Sequence, residues 1–172
     1  MVKRAYVWIV LAVFCPAALW TALTVPPRAA SLPAVAAAQP STPVVRGAYH
    51  VHSTESDGTG SVAQIADAAR RAGLDFVILT DHADGSQPIR PPRYYGGVLC
   101  VEAMEVSTDN GHYAVLGIDN PPYRLGGEGR DVAADVARLG GFGVVAHPDS
   151  AKPDLQWTEW DMPVGGFEWF NA

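Results

Sequence analysis

The stretch YHVHSTESDGTGSVAQIADAARRAGLDFVILTDH, residues 49–82, decides the fold. It opens on the end of an apolar run from Val44 to Val51, which reads as a strand. Ser61 to Ala72 then carries Val62, Ile65, Ala66 and Ala69 on one face, the spacing of an amphipathic helix. Ser61 and Gln64 form a capping box at its start, and Gly73 supplies the stop. Leu74 to Thr80 is a short buried strand. Strand, helix and strand in so short a unit argue for an α/β fold with parallel strands.

Working outward, the same alternation continues. Val98 to Val106 and Tyr113 to Ile118 read as two further strands. Arg130 to Leu139 reads as a second helix, ended by Gly140-Gly141. Phe142 to Ala146 is a fifth strand and Gly165 to Phe170 a sixth. Ala83 to Gly97 is a loop rich in Pro, Gly and Arg. No internal repeat is visible. On pattern alone, a barrel and a doubly wound sheet are both compatible with this order.

The other direction leads out of the domain. Residues 1–45 hold no acidic residue: Lys3 and Arg4 precede an apolar stretch from Tyr6 to Val25, and a tail of Pro, Ala and Ser runs from Pro26 to Pro43. This is the layout of an export signal, with Ala36-Ala37-Ala38 as a cleavage region. The apolar run is also long enough for a retained membrane anchor, although Pro16 weakens a straight helix. Either reading places the remainder, residues 46–172, outside the cytoplasm: secreted, periplasmic or held at the outer face of the membrane.

Leaving out Lys3, Arg4 and Arg28 takes the formal net charge from -6 to -9. So acidic a domain argues against a nucleic-acid partner, because a phosphate backbone is gripped by clustered Lys and Arg. Acidity does suit a site that concentrates divalent cations. Of the two cysteines, Cys15 lies in the leader without a lipobox, since Phe14 stands where a small residue is needed. Cys100 sits in an apolar run and reads as core.

The chain has five histidines, and each falls at or beside a strand end: His50, His52, His82, His112 and His147. In α/β folds the strand carboxyl ends face the functional crevice. His50 and His52 are two apart, so simple alternation puts both rings on one face of the strand. A lone H-x-H is a weak signal, and its neighbours strengthen it. Asp57 follows in a turn, Asp81-His82 ends the next strand, and Glu102 and Glu105 flank the end of another. His112 opens the following strand and His147-Pro148 ends the fifth. Imidazole with carboxylate is a ligand set for zinc, manganese or iron.

Residues 49–82 resemble the opening of the polymerase-and-histidinol-phosphatase (PHP) superfamily. MEVSTDNGHYAVLG (residues 104–117) and VVAHP (residues 144–148) match its later motifs in order, so the resemblance covers residues 46–172. It implies a distorted (β/α)7 barrel holding two or three divalent metal ions, zinc, manganese or iron. It implies that His50 and His52 bind a first ion, that Glu105 rather than Glu102 bridges two, and that His112 and His147 bind the second. Asp57 and His82 would bind a third. Asp81 would orient ligands from behind, making Asp81 and His82 the pair nearest the chemistry. The superfamily's final Asp-x-His motif has no counterpart after His147, so the domain is expected to be incomplete.

The implied activity is metal-assisted hydrolysis of a small-molecule phosphoester, with a non-phosphate ester or carbamate as the alternative and an inactive metal-binding remnant as the reading from another class. Ser53 and Ser56 lack a nucleophile-elbow setting and read as turn or cap residues. Arg90 and Arg93, with Tyr94 and Tyr95, offer forks suited to phosphate but read first as a solvated loop. Trp157, Trp160, Trp169 and Phe170 read as core or as the seam of the barrel.

Overall fold

The computed structural model describes residues 43–169. The leader-like stretch up to Thr42 and the residues from Phe170 onward lie outside them. Among the described residues no helix is long and apolar enough to cross a membrane.

The opening unit forms as its residues dictate. Strand β1, Gly47–Val51, leads through a turn into helix α1, Val62–Arg71, and then into β2, Phe76–Leu79. The capping box at α1 is closed: the Ser61 hydroxyl accepts from the Gln64 amide, and the Gln64 side chain accepts from the Ser61 amide at 2.9 Å. Ala66 and Ala69 are the buried positions of α1, and small side chains there let the helix lie close to Val77, Leu79, Val98 and Cys100. β1 and β2 pair in parallel, as expected.

Beyond this unit the strands are not all parallel. Strands β3 (Arg93–Tyr95) and β4 (Val98–Glu102) form an antiparallel hairpin, and β2 pairs with β4 in parallel, giving the sheet order β1-β2-β4-β3. β3 arises inside the expected loop 83–97. Its turn is Gly96-Gly97, both with positive φ, the backbone that a two-residue hairpin demands.

The apolar run Val98 to Val106, expected as one strand, is two. Ala103 separates β4 from β5, Met104–Thr108, which belongs to a second sheet. That sheet has the order β5-β6-β7-β8, with β6 at Gly111–Leu116, β7 at Phe142–Val145 and β8 at Gly166–Phe167. β5–β6 and β6–β7 are antiparallel, while β7–β8 is parallel. The segment on either side of Ala103 stays bonded to the continuation of β2: Ala103 donates to Leu79 at 2.8 Å, Glu105 to Asp81 at 3.1 Å, and Ala83 to Glu105 at 3.1 Å. The strand changes sheets without leaving its neighbour.

Helix α2, Gly129–Arg138, packs Val132, Ala133 and Val136 against the second sheet, where Met104, Val106, Tyr113, Val115 and Val145 are buried. Trp157 stacks on Tyr113 with ring centroids 5.8 Å apart, so the expectation of core holds for this tryptophan. Trp160 and Trp169 are exposed. The architecture is mixed α/β, and among the described residues the strand pairings give two four-stranded sheets rather than a closed ring.

Candidate metal centre

All five histidines meet in one cavity of about 520 Å³, together with Asp57 and Glu105. Glu105 is its focus. The residue is 1 % exposed and is held on β5 by the antiparallel ladder to β6, where it faces Ala114. Its two carboxylate oxygens face different partners. Oε2 lies 3.3 Å from His50 Nε2, 3.1 Å from His52 Nε2 and 3.3 Å from His82 Nδ1. Oε1 lies 3.0 Å from His112 Nδ1 and 2.9 Å from His147 Nε2.

The convergence of His50 and His52 has a different origin from simple alternation. His50 has φ 60°, in the left-handed region, and the β1–β2 register shifts between Ala48 and Val51. His52 lies just past the strand. Even so, the two Nε2 atoms are 3.1 Å apart. The irregular backbone, not the pleat, aims both rings inward. His147, at the end of β7, has the other positive φ, 29°, among the described non-glycine residues.

The turn after β1 brings Asp57 to the rim. Its Oδ1 is 3.0 Å from His52 Nδ1 and its Oδ2 is 3.6 Å from His82 Nε2, while the side chain remains largely exposed. Gly58 lets this turn fold back on itself: a Cβ there would stand 2.1 Å from the carbonyl oxygen of His52. Asp81 holds the same turn from beneath. Its Oδ1 accepts from the Ser53 amide at 2.7 Å and from the Ser56 hydroxyl at 2.6 Å, and its Oδ2 accepts from the Ser53 hydroxyl at 2.8 Å. Asp81 does not line the cavity. It stands behind the cavity, as the anchor of the His52–Asp57 turn, the orienting position that the resemblance implies, and not among the groups that face the cavity. Ser53 and Ser56 are correspondingly turn residues.

Glu102 and Arg90 pair with each other. Arg90 Nε donates to Glu102 Oε1 at 2.6 Å, and its Nη2 donates to Glu55 at 2.6 Å. The structure thus brings Glu105 to the cluster and leaves Glu102 outside it. The Arg90 fork is engaged by two carboxylates rather than turned toward the cavity.

Two polar lining residues escaped the sequence reading. Glu168, just after β8, contacts His50 Nδ1 through Oε1 and accepts the His147 amide at 2.7 Å through Oε2. The available signal was an acidic residue between Phe167 and Trp169 at the end of an apolar strand. Tyr49 is the other, and its buried hydroxyl has no hydrogen-bond partner among the described residues.

The electrostatics follow from this crowding. Burial lowers the pKa of His50, but Glu105 and Glu168 outweigh it and raise it to about 9. His52 is raised, chiefly by its contact with Glu105. Burial pushes Glu105 up, yet His112, His50 and His52 hold its carboxyl far below the ordinary range. The Tyr49 phenol is pushed above its ordinary value by burial and then by Glu168 and Glu105.

Three sets of donor atoms each lie within 4.8 Å of one another: His50, Glu105 and His147; His52, Asp57 and His82; and His82, Glu105 and His112. Two donors bound to one cation at the usual 2.0–2.1 Å in tetrahedral geometry stand about 3.3 Å apart. The mutual distances of His50 Nε2, His52 Nε2 and Glu105 Oε2 are of that size. His82 Nδ1 is buried, faces Glu105 and has no hydrogen-bond partner among the described residues. The donor set fits divalent metal ions, and the carboxylate that faces two histidine groups has the geometry of a bridge.

No family model matches the chain, and no curated protein does. Among solved structures, it is similar to a two-domain protein containing a predicted PHP-like metal-dependent phosphoesterase from Bacteroides vulgatus ATCC 8482. The identity is 24 % and the TM-score 0.47, with 68 % of this chain and 39 % of that one covered. It is also similar to endonuclease Q in complex with a 27-mer duplex carrying an abasic lesion at the active site, at 18 % identity and a TM-score of 0.47, covering 68 % and 38 %. The chain thus spans less than half the length of either. The expectation of no nucleic-acid partner is the one that this comparison contradicts: that similar structure is a complex with duplex DNA. Net charge describes the whole surface, whereas bound cations would set the local field at a metal centre.

Proposed function

We propose that this chain is a metal-dependent hydrolase of the PHP type, with a phosphoester as the bond that suits it best. The observation that carries this reading is the buried Glu105 carboxylate, with His50, His52 and His82 on one oxygen and His112 and His147 on the other. His50, His52 and Glu105 would hold one ion, Glu105, His112 and His147 a second, and Asp57 with His82 a third. Such ions lower the pKa of bound water toward neutrality and polarise the bond to be cleaved. Asp81 keeps the His52–Asp57 turn aimed at the centre. The two sheets are read as segments of the distorted (β/α)7 barrel that the motifs imply. The composition of residues 1–45 supports an exported location.

Among the described residues, no Lys or Arg lines the cavity. An anionic phosphoester would therefore depend on the metal ions alone for charge compensation. The same feature favours a second reading, hydrolysis of a neutral ester or carbamate, which needs no cationic side chain. A panel of p-nitrophenyl phosphate, bis-p-nitrophenyl phosphate and p-nitrophenyl acetate, assayed with Zn, Mn and Fe(II), separates the two. Glu105→Gln should abolish turnover of whichever substrate is taken and reduce metal uptake. Full metal content and undiminished turnover in that variant would refute the reading.

A further inference from the structure

Glu168 stands on the far side of His50 from Glu105. The two described non-glycine residues with left-handed backbone, His50 and His147, both lean on it. They come from different sheets: His50 from β1 at the edge of the first, His147 from the end of β7 in the second. Glu168 itself is fixed beside β7, its amide donating to Val145 at 3.0 Å. Non-glycine residues hold such backbone only where their surroundings over-determine it. Here one carboxylate touches both residues, His50 through its ring and His147 through its backbone amide.

We infer that Glu168 is a positioning residue of the centre, one oxygen selecting which nitrogen of His50 faces the other ligands and the other oxygen fixing the backbone of His147. An ionised carboxylate only accepts hydrogen bonds. In the neutral ring that can bind a metal ion, His50 Nδ1, facing Oε1, carries the proton, and the Nε2 lone pair is left for the side where His52 Nε2 lies at 3.1 Å and Glu105 Oε2 at 3.3 Å. Partners of this kind behind a ligating imidazole set its tautomer and its basicity. The inference rests on the metal-centre reading above, and zinc binding tests it without any need for turnover.

Glu168→Gln preserves shape and can still accept the His147 amide, but its –NH2 group can donate to Nδ1 and drive the proton to Nε2. Zinc affinity, measured on the full chain by competition with a chromophoric chelator, should fall 10- to 100-fold. Affinity within twofold of wild type would overturn the role of Glu168. If the variant fails to fold, ring ¹⁵N shifts of the zinc-loaded wild-type protein decide instead. A His50 protonated at Nδ1 supports the proposal, and one protonated at Nε2 overturns it. A wild-type chain that takes up no zinc overturns the metal-centre reading itself. That result is distinct from zinc bound equally by both proteins.

Discussion

At the scale of single residues, the centre separates groups that face the donors from groups that hold them. Glu105 and Glu102 are three apart on one apolar segment, and only the first turns inward; they lie on strands of different sheets, with Ala103 between them. Asp81 shows the second kind. Its carboxylate accepts three hydrogen bonds from Ser53 and Ser56. Asp81→Asn removes an acceptor oxygen and leaves a donor in its place, which should cost about 1–3 kcal/mol in urea unfolding. Metal binding should weaken most at the His52, Asp57 and His82 set. Equal weakening at all sets, read from stepwise zinc titration, would mean that Asp81 acts on the fold generally. The convergence of the five histidines was legible in the sequence because strand ends face one crevice in α/β folds. Asp81's place behind the cavity was implied by the resemblance, but its serine partners were not legible, since a motif gives adjacency and not the direction of a side chain. Glu168 was illegible for a related reason: its partners lie 118 and 21 residues away.

At the scale of elements, local signals read well and long-range ones poorly. The capping box of α1 and the burial of Ala66 and Ala69 follow directly from spacing. The division of Val98 to Val106 does not, because an uninterrupted apolar run has no period to mark where one sheet hands over to another. The hairpin β3–β4 was hidden by a Pro- and Arg-rich setting, although Gly96-Gly97 is itself a turn signal. The turn between β1 and α1 has the tightest tolerance of the connections around the centre. Gly58→Ala would press a methyl group against the His52 carbonyl, so the turn must move and carry Asp57 with it. The variant should fold, keep the donor sets of Glu105 with His50, His112 and His147 able to take up metal, and bind fewer ions in total than the wild-type chain. Elemental analysis after dialysis checks the count, and an unchanged count would show that Asp57 contributes no ligand.

At the scale of the molecule, the centre joins two sheets whose apolar cores are otherwise separate clusters. The candidate ligands come from β1, the continuation of β2, β5, β6 and β7, so metal binding should stabilise both sheets together. Chelation should therefore lower the unfolding midpoint in a single transition. Saturation at one hundred times the dissociation constant is worth about 2.7 kcal/mol for one site. Two separated transitions in calorimetry after chelation would show that the sheets unfold independently. The segment around Ala103 also governs the order of opening. Its amides at Ala103 and Glu105 donate to the continuation of β2, while β4 and β5 on either side are each bonded into a different sheet. Solvent deuterium can reach those amides only when this double seam parts. Fraying of β3 or β8 would exchange the margins many times over while the backbone beneath the bridging carboxylate kept its original protons.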